Sequence, residues 1–404
     1  MVAFQRNNQG ARQILIEYRR TVLLRIALTN SIGFSASTAV PVWVASVGAH
    51  FGFASWGAGA VATGQLACAA LLNAATPWLF RGMDLRRLAF AAAAIALLGN
   101  ALAWLGSSAA FIVGCMLCGA GFGVLLNVTN RLVASSTAAQ RGYAVVQLVE
   151  VLFCIVFYLA VPPIAERFGI LSVFAVLAAL CVGVFLLIAG VPVGTQVHIV
   201  NLERGGALPN RAAAVLSLCA AALLFAGYTS VSASLVSIGA AAGVSFLWVG
   251  RVMSLGLFAS LAGAIFARGL GERAGVLLPL LAGTVALAVD VLVLTLGGGA
   301  AVFIASALLL FMAIVFLVPY VYALLAGLDK AGRWASIAPG FVLTGAALGP
   351  GIAGVVIRGV DFTTLGYTAL GCLIAAITLF VCAQRLRLTT DRAGASGAMQ
   401  HNSP

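Results

Sequence analysis

A chain of 404 residues that is 63% hydrophobic and only 8% charged cannot cover itself with polar surface, because soluble domains are nearer half apolar and a quarter charged. Its formal net charge of +12 would suit a nucleic-acid partner, but 21 of the 22 basic residues are Arg scattered between apolar blocks. A soluble enzyme and a nucleic-acid binder are therefore excluded, and the natural solvent of this chain is a lipid bilayer.

A membrane-spanning helix needs roughly 20 apolar residues, and apolar blocks of that length fill the chain. The first six expected spans are Thr21–Val47, Ser55–Phe80, Leu88–Leu105, Ala109–Val133, Gly142–Ala165 and Leu171–Val191. The second six are Ala212–Gly239, Val244–Phe266, Ala274–Leu296, Ala301–Leu325, Trp334–Ile357 and Thr363–Gln384. The organisation expected is a tail over 1–20, a six-span bundle over 21–193, a linker over 194–211, a second bundle over 212–384 and a tail over 385–404, disordered from Thr389. The residues before the first span are polar and basic, and that span is too long for a signal-peptide core, so no cleaved leader is expected.

Arginine supplies an orientation test independent of hydropathy. With these twelve spans, the basic residues of the tails, the 194–211 linker and alternate loops fall on one side, from Arg6 and Arg81 to Arg385 and Arg392. Only Arg167 and Arg358 fall in loops on the other side, and Arg25 and Arg251 lie within spans. Basic short loops mark the cytoplasmic face, which puts both termini in the cytoplasm. The two halves also echo each other at offsets of 187 to 194 residues: Gly33-Phe34-Ser35 with Gly227-Tyr228-Thr229, Arg81-Gly82 with Arg268-Gly269, Tyr143-Ala144 with Trp334-Ala335, and Pro162 with Pro350. A duplicated six-span unit follows, giving an all-α membrane protein of two six-helix pseudo-repeats.

Six plus six spans, basic loops after spans two and eight, and a cytoplasmic central loop resemble the major facilitator superfamily. The family's G-x-x-x-D-R-x-G-R-R/K loop corresponds to Pro77 through Arg87, where Arg86-Arg87 carry over and Arg81 stands in place of the Asp. The fourth span keeps Gly119, Gly121 and Gly123, with Cys115 at the position of the family's intramembrane Arg, and the fifth carries Val161-Pro162-Pro163 instead of a Gly-Pro pair. A Gly-Pro pair stands in the eleventh span, as Gly349-Pro350. The resemblance implies alternating access to a central cavity, with Arg81, Asp84, Arg86 and Arg87 in a gating loop.

Charge within a span costs about 2.5–3.5 kcal/mol, so intramembrane ionisable residues are functional candidates. Glu150 lies about two turns into the fifth span. At 1.5 Å per residue, Asn30 of the first span lies at similar depth, with Asn127 and Gln147 nearer the cytoplasm. Glu150 suits a proton-coupling site; the alternative is a carboxyl that only holds helices together. Arg251 and Asp290 lie at matching depths of the eighth and ninth spans and read as a structural ion pair, with binding of an anionic substrate by Arg251 as the competing role. Arg25, one turn into the first span, can snorkel to the interface. Phe34, Trp43, Tyr228, Trp248, Tyr320 and Tyr322 could stack on a solute, although Trp43 and Trp248 also suit interfacial anchors. Substrate contacts are thus expected at Asn30, Phe34, Asn127, Gln147, Tyr228, Arg251 and Tyr320.

The eight cysteines fall in apolar blocks, and Cys115-x-x-Cys118 reads as packing rather than metal or redox chemistry. No metal, cofactor, phosphate-binding loop or hydrolytic motif is expected. The function expected is secondary transport of a small organic solute, as proton-coupled efflux across a bacterial-type inner membrane by a monomer. An uptake permease is the alternative, and a non-transporting receptor or scaffold a more remote one.

Overall fold

The computed structural model describes residues 18–54, 56–136, 139–191, 211–270, 275–328, 333–357 and 361–401, with backbone alone at 139–140, 268–269, 333, 335–337 and 389–401. The linker up to Asn210 and the loop cations Arg6, Arg12, Arg273, Lys330 and Arg358 lie outside these residues. The chain divides into two compact units, Met1–Val200 and Asn201–Pro404.

Thirteen helices are found among the described residues. In the first unit these are α1 (Arg20–Phe51), α2 (Gly57–Leu79), α3 (Leu85–Trp104), α4 (Ser108–Ala134), α5 (Ala139–Phe168) and α6 (Ser172–Ala189). In the second they are α7 (Arg211–Ser232), α8 (Leu235–Ala241), α9 (Phe246–Leu270), α10 (Leu277–Leu296), α11 (Gly299–Ala326), α12 (Arg333–Val356) and α13 (Thr363–His401). Twelve of them, all but the seven-residue α8, are long and apolar enough to cross a membrane.

Two ends differ from expectation. The seventh span stops at Ser232 and resumes as α8, rather than running on to Gly239. Ser230 donates to the Gly227 carbonyl and Ser234 to the Ser230 carbonyl, and such back-bonding competes with the helical ladder and bends it. At the other end of the chain α13 continues to His401, past Gln384, through a stretch whose Leu, Arg and Ala are good helix formers.

Each unit repeats one packing scheme. In the first, α4 packs on α1, α2 and α3, while α1 also packs on α5 and α6, and α3 on α6. In the second, α11 packs on α9 and α10, α7 on α12 and α13, and α10 on α13. Within lipid the hydrophobic effect does not drive helices together, so close van der Waals fit does. Glycines supply it. A side chain on Gly119 or Gly123 would strike the backbone carbonyls of Gln65 or Ala69 in α2, and one on Gly121 would meet the Ala92 carbonyl of α3 at 2.6 Å. In the second unit Gly345 faces the Ala222 backbone of α7, and Gly349 faces Thr229 and Ser230.

Overpacking a close-fitted interior costs about 1–3 kcal/mol. Gly119→Ala and Gly123→Ala should therefore lower the thermal unfolding temperature of detergent-solubilised protein by several degrees. Gly183→Ala, on a helix face with nothing within 4 Å, should leave it unchanged.

Candidate functional site

The polar residues of α1 divide into two kinds. Thr29, Ser31 and Ser35 turn their hydroxyls back to the carbonyls of Arg25, Ala27 and Ile32, at 2.9, 3.0 and 2.6 Å. Asn30 reaches outward instead: its Nδ2 donates to Glu150 Oε2 of α5 at 3.1 Å. Its Oδ1 accepts from the Thr129 hydroxyl of α4 at 2.8 Å. Three helices thus meet at one amide. Gly33 helps bring them together, since even a Cβ there would lie 3.3 Å from Leu126 and 3.5 Å from Leu125 of α4. Two turns further along α1, Thr38 Oγ1 lies 3.4 Å from Cys154 Sγ, one turn beyond Glu150.

Asn30 is 4% exposed and Thr129 is fully buried, whereas Glu150 keeps part of its surface open. No ion pair to Glu150 occurs among the described residues. A hydrogen bond to a charged group contributes about 1.5–3 kcal/mol, while taking an ion out of water costs several kcal/mol. Part of that cost is left uncompensated, and neutralisation by a proton or by a cationic solute would remove it.

The other expected residues do not all join this site. Asn127 is engaged locally: its Nδ2 donates to the Asn73 carbonyl of α2 at 2.8 Å, and its Oδ1 accepts from Arg131 Nε at 2.7 Å. Gln147 is exposed one turn before Glu150, and Phe34 is half-buried one turn after Asn30. Tyr228 is half-buried and packs edge-on against Phe225, with ring centroids 6.4 Å apart. Tyr320 is buried, and its hydroxyl donates to the Ala267 carbonyl of α9 at 3.1 Å, so it ties α11 to α9 rather than facing a solute. Trp43 is fully buried against Phe111 and Phe174 and is neither a ligand nor an interfacial anchor. Trp248 is 54% exposed.

The expected Arg251–Asp290 ion pair does not form. Arg251 is exposed, with its guanidinium 4.7 Å from the Trp248 ring centroid. Asp290 is 4% exposed, hydrogen-bonded to Ser306 of α11, with Oδ2 unpartnered. The reason is packing: α9 packs on α11, whereas α10 packs on α11 and α13 rather than on α9. Arg25 is also held more specifically than snorkelling requires: its guanidinium packs against Gly190, at the carbonyl end of α6, where the helix dipole favours a cation. In the turn between α2 and α3, Asp84 caps α3 by accepting from the backbone N–H of Arg86 and Arg87 at 3.0 and 3.1 Å. Arg86 lies over Phe90 at 5.7 Å, while Arg81 and Arg87 are exposed.

Thr129 and Cys154 were not anticipated at the site. The signal was present in the tract Asn127-Val128-Thr129-Asn130, four residues of which three are polar in an otherwise apolar span. A second buried polar set, Gln65, Asn100, Cys118 and Cys181, links α2, α3, α4 and α6. Among the described residues no group of three His, Cys, Asp or Glu side chains is placed to hold a metal ion.

No sequence-family profile matches the chain, and no curated protein resembles it in sequence. Solved structures do resemble it in fold. The nucleoside transporter NupG superposes with a TM-score of 0.68 at 12% identity, covering 90% of this chain and 99% of that one. The POT family transporter PepTSo gives 0.71 at 12% identity, over 93% and 99%. A structure from the proton dependent oligopeptide transporters gives 0.70 at 13% identity, over 93% and 100%. The chain therefore has the major-facilitator fold.

Because Asp290 and Arg251 do not meet, Asp290→Arg should lower the yield of monodisperse protein on size-exclusion chromatography, and adding Arg251→Asp should not restore it. Asp290→Asn, which keeps a partner for Ser306, should fold normally.

Proposed function

We propose that this chain is a secondary transporter that works by alternating access and exports a small amphipathic or cationic organic solute in exchange for protons. Glu150 is its coupling carboxyl. The observation that carries this reading is a half-buried carboxyl, inside a membrane-spanning bundle, held by one neutral amide and by no cation among the described residues. A proton and a cationic solute are alternative ways to neutralise such a group, and competition between them is the basis of exchange. Asn30 orients the carboxyl, and Phe34 and Gln147, at helical spacing from Asn30 and Glu150, supply apolar and polar contact for the solute. An apolar lining with few polar groups favours lipophilic solutes over sugars, which need many hydrogen-bonding partners.

The arginine-rich loops support cytoplasmic termini; the reading also takes the protein as a monomer in a bacterial-type cytoplasmic membrane, with Arg81, Asp84, Arg86 and Arg87 in a gating loop. Proton-coupled uptake is the second reading. The exposed Arg251, without an acidic partner among the described residues, favours it, since it suits a solute bearing a carboxylate. The oligopeptide transporters that share the fold are proton dependent by description.

Proteoliposomes containing a pH-sensitive dye and an imposed proton gradient test the reading with a panel of organic cations and peptides. A transported cation should dissipate the gradient, and Glu150→Gln, reconstituted to the same level, should slow that flux roughly tenfold or more, the equivalent of about 1.4 kcal/mol. Equal coupled flux in wild type and variant would remove Glu150 from the mechanism.

A further inference from the structure

The arrangement around Asn30 contains more than an anchor for Glu150. A carboxylate only accepts hydrogen bonds, whereas a protonated carboxyl has one O–H to donate; an amide presents two N–H donors on one side and a carbonyl acceptor on the other. In the observed geometry Nδ2 faces Glu150 and Oδ1 faces Thr129, the orientation in which the carboxyl accepts, as a carboxylate must. Thr129 has one hydroxyl proton and three acceptors within reach: Asn30 Oδ1 at 2.8 Å, the Leu125 carbonyl at 2.9 Å and the Leu126 carbonyl at 3.1 Å.

We infer that Asn30 and Thr129 form a reversible hydrogen-bond relay, in which protonation of Glu150 turns the Asn30 amide over and rotates the Thr129 hydroxyl to donate to its own helix backbone. Asn30 and Thr129 are positioning residues. With Glu150 ionised, the polarity runs from Thr129 through Asn30 to the carboxylate. When a proton arrives, the carboxyl O–H donates to Asn30 Oδ1, and Nδ2 then faces Thr129 Oγ1. Thr129 accepts that bond while donating to the Leu125 carbonyl. The Thr129 hydroxyl, the Glu150 proton and one Asn30 N–H each keep an acceptor in both states, as buried polar groups require. No bond to carbon is made or broken; a proton binds at Glu150, and the hydroxyl proton of Thr129 changes direction. The consequence is that the charge state of α5 is reported to α1 and α4 through one side chain.

Other titratable groups on the packed helices have partners of their own, and Cys154, one turn along α5, also lies in the field of Glu150. Cys154 contacts Thr38, Arg25 packs on Gly190 of α6, and the Arg131 Nε donates to Asn127. Tyr143 donates to the Asn130 carbonyl, and Cys181 of α6 contacts Asn100.

The inference rests on Glu150 being the proton-carrying carboxyl, and infrared difference spectroscopy during a pH titration of the purified, reconstituted protein separates the two claims without needing a solute. The carboxyl band that disappears in Glu150→Gln reports Glu150. An amide carbonyl band that disappears in Asn30→Leu, identified by carbon-13 labelling of asparagine, reports Asn30. The relay predicts that both bands change with one midpoint. Asn30→Leu should raise that midpoint by roughly one unit, since the ionised form loses its charged hydrogen bond. Thr129→Val should raise it by roughly half a unit, because the amide is no longer held with its donor toward the carboxylate, and Thr129→Ser should restore the wild-type midpoint. An asparagine band that stays still while Glu150 titrates, or a Thr129→Val midpoint equal to wild type, overturns the relay but leaves the coupling role of Glu150 standing. Absence of any titrating Glu150 band between about pH 4 and pH 10 overturns both.

Discussion

One carboxyl group with only an amide to hold it inside a hydrocarbon layer is the constraint around which the first unit is arranged. Water would solvate Glu150 fully, and a buried arginine would neutralise it. Among the described residues Glu150 has no ion-pair partner, and its hydrogen bond comes from the Asn30 amide, an uncharged donor. The magnitudes decide the outcome: a single charge-assisted hydrogen bond recovers about 1.5–3 kcal/mol of a larger desolvation cost. In the proposed mechanism Glu150 responds to a small positive species that reaches it, whereas Asp290, 4% exposed between helices of the second unit, has no such role.

The repeated fold makes the asymmetry between the two units informative. In each, the first helix packs on the fifth membrane-spanning helix, α1 on α5 and α7 on α12. Where α1 and α5 meet through Asn30–Glu150 and Thr38–Cys154, α7 and α12 meet through Gly345 and Gly349 pressed on backbone. One copy of the duplicated interface has been built for a titratable group and the other for close contact. The same packing logic explains why α1 can carry so many hydroxyls: most are satisfied by their own helix, leaving Asn30 as the residue that bridges to α4 and α5.

Much of this was legible before any coordinates. The twelve spans follow from apolar run length, and the depth match between Asn30 and Glu150 follows from the fixed helical rise. Depth, however, says nothing about which helices are neighbours, so the equally good match between Arg251 and Asp290 suggests a pair that the structure does not contain: α9 and α10 each pack on α11 rather than on one another. Tyr320 and Trp43 were read as able to face a solute because aromatic residues serve equally as ligands and as core. Their burial, and the Tyr320 bond to the Ala267 carbonyl, are properties of packing that no periodicity encodes. Thr129 was hidden in plain view: the tract Asn127-Val128-Thr129 reads as a glycosylation pattern out of place, when its third residue is the partner that fixes Asn30. The break after Ser232 depends on serine back-bonding, which single-residue propensity does not capture.

Reaction with dicyclohexylcarbodiimide, followed by peptide mass spectrometry, addresses the central claim most directly. The reagent partitions into the bilayer and modifies carboxyl groups there when they carry a proton. A half-buried, uncompensated Glu150 should be the site labelled in reconstituted protein, with labelling that falls as pH rises, while the exposed Glu166 and Asp361 remain unmodified. Folded protein in which Glu150 stays unlabelled at every pH would contradict the account.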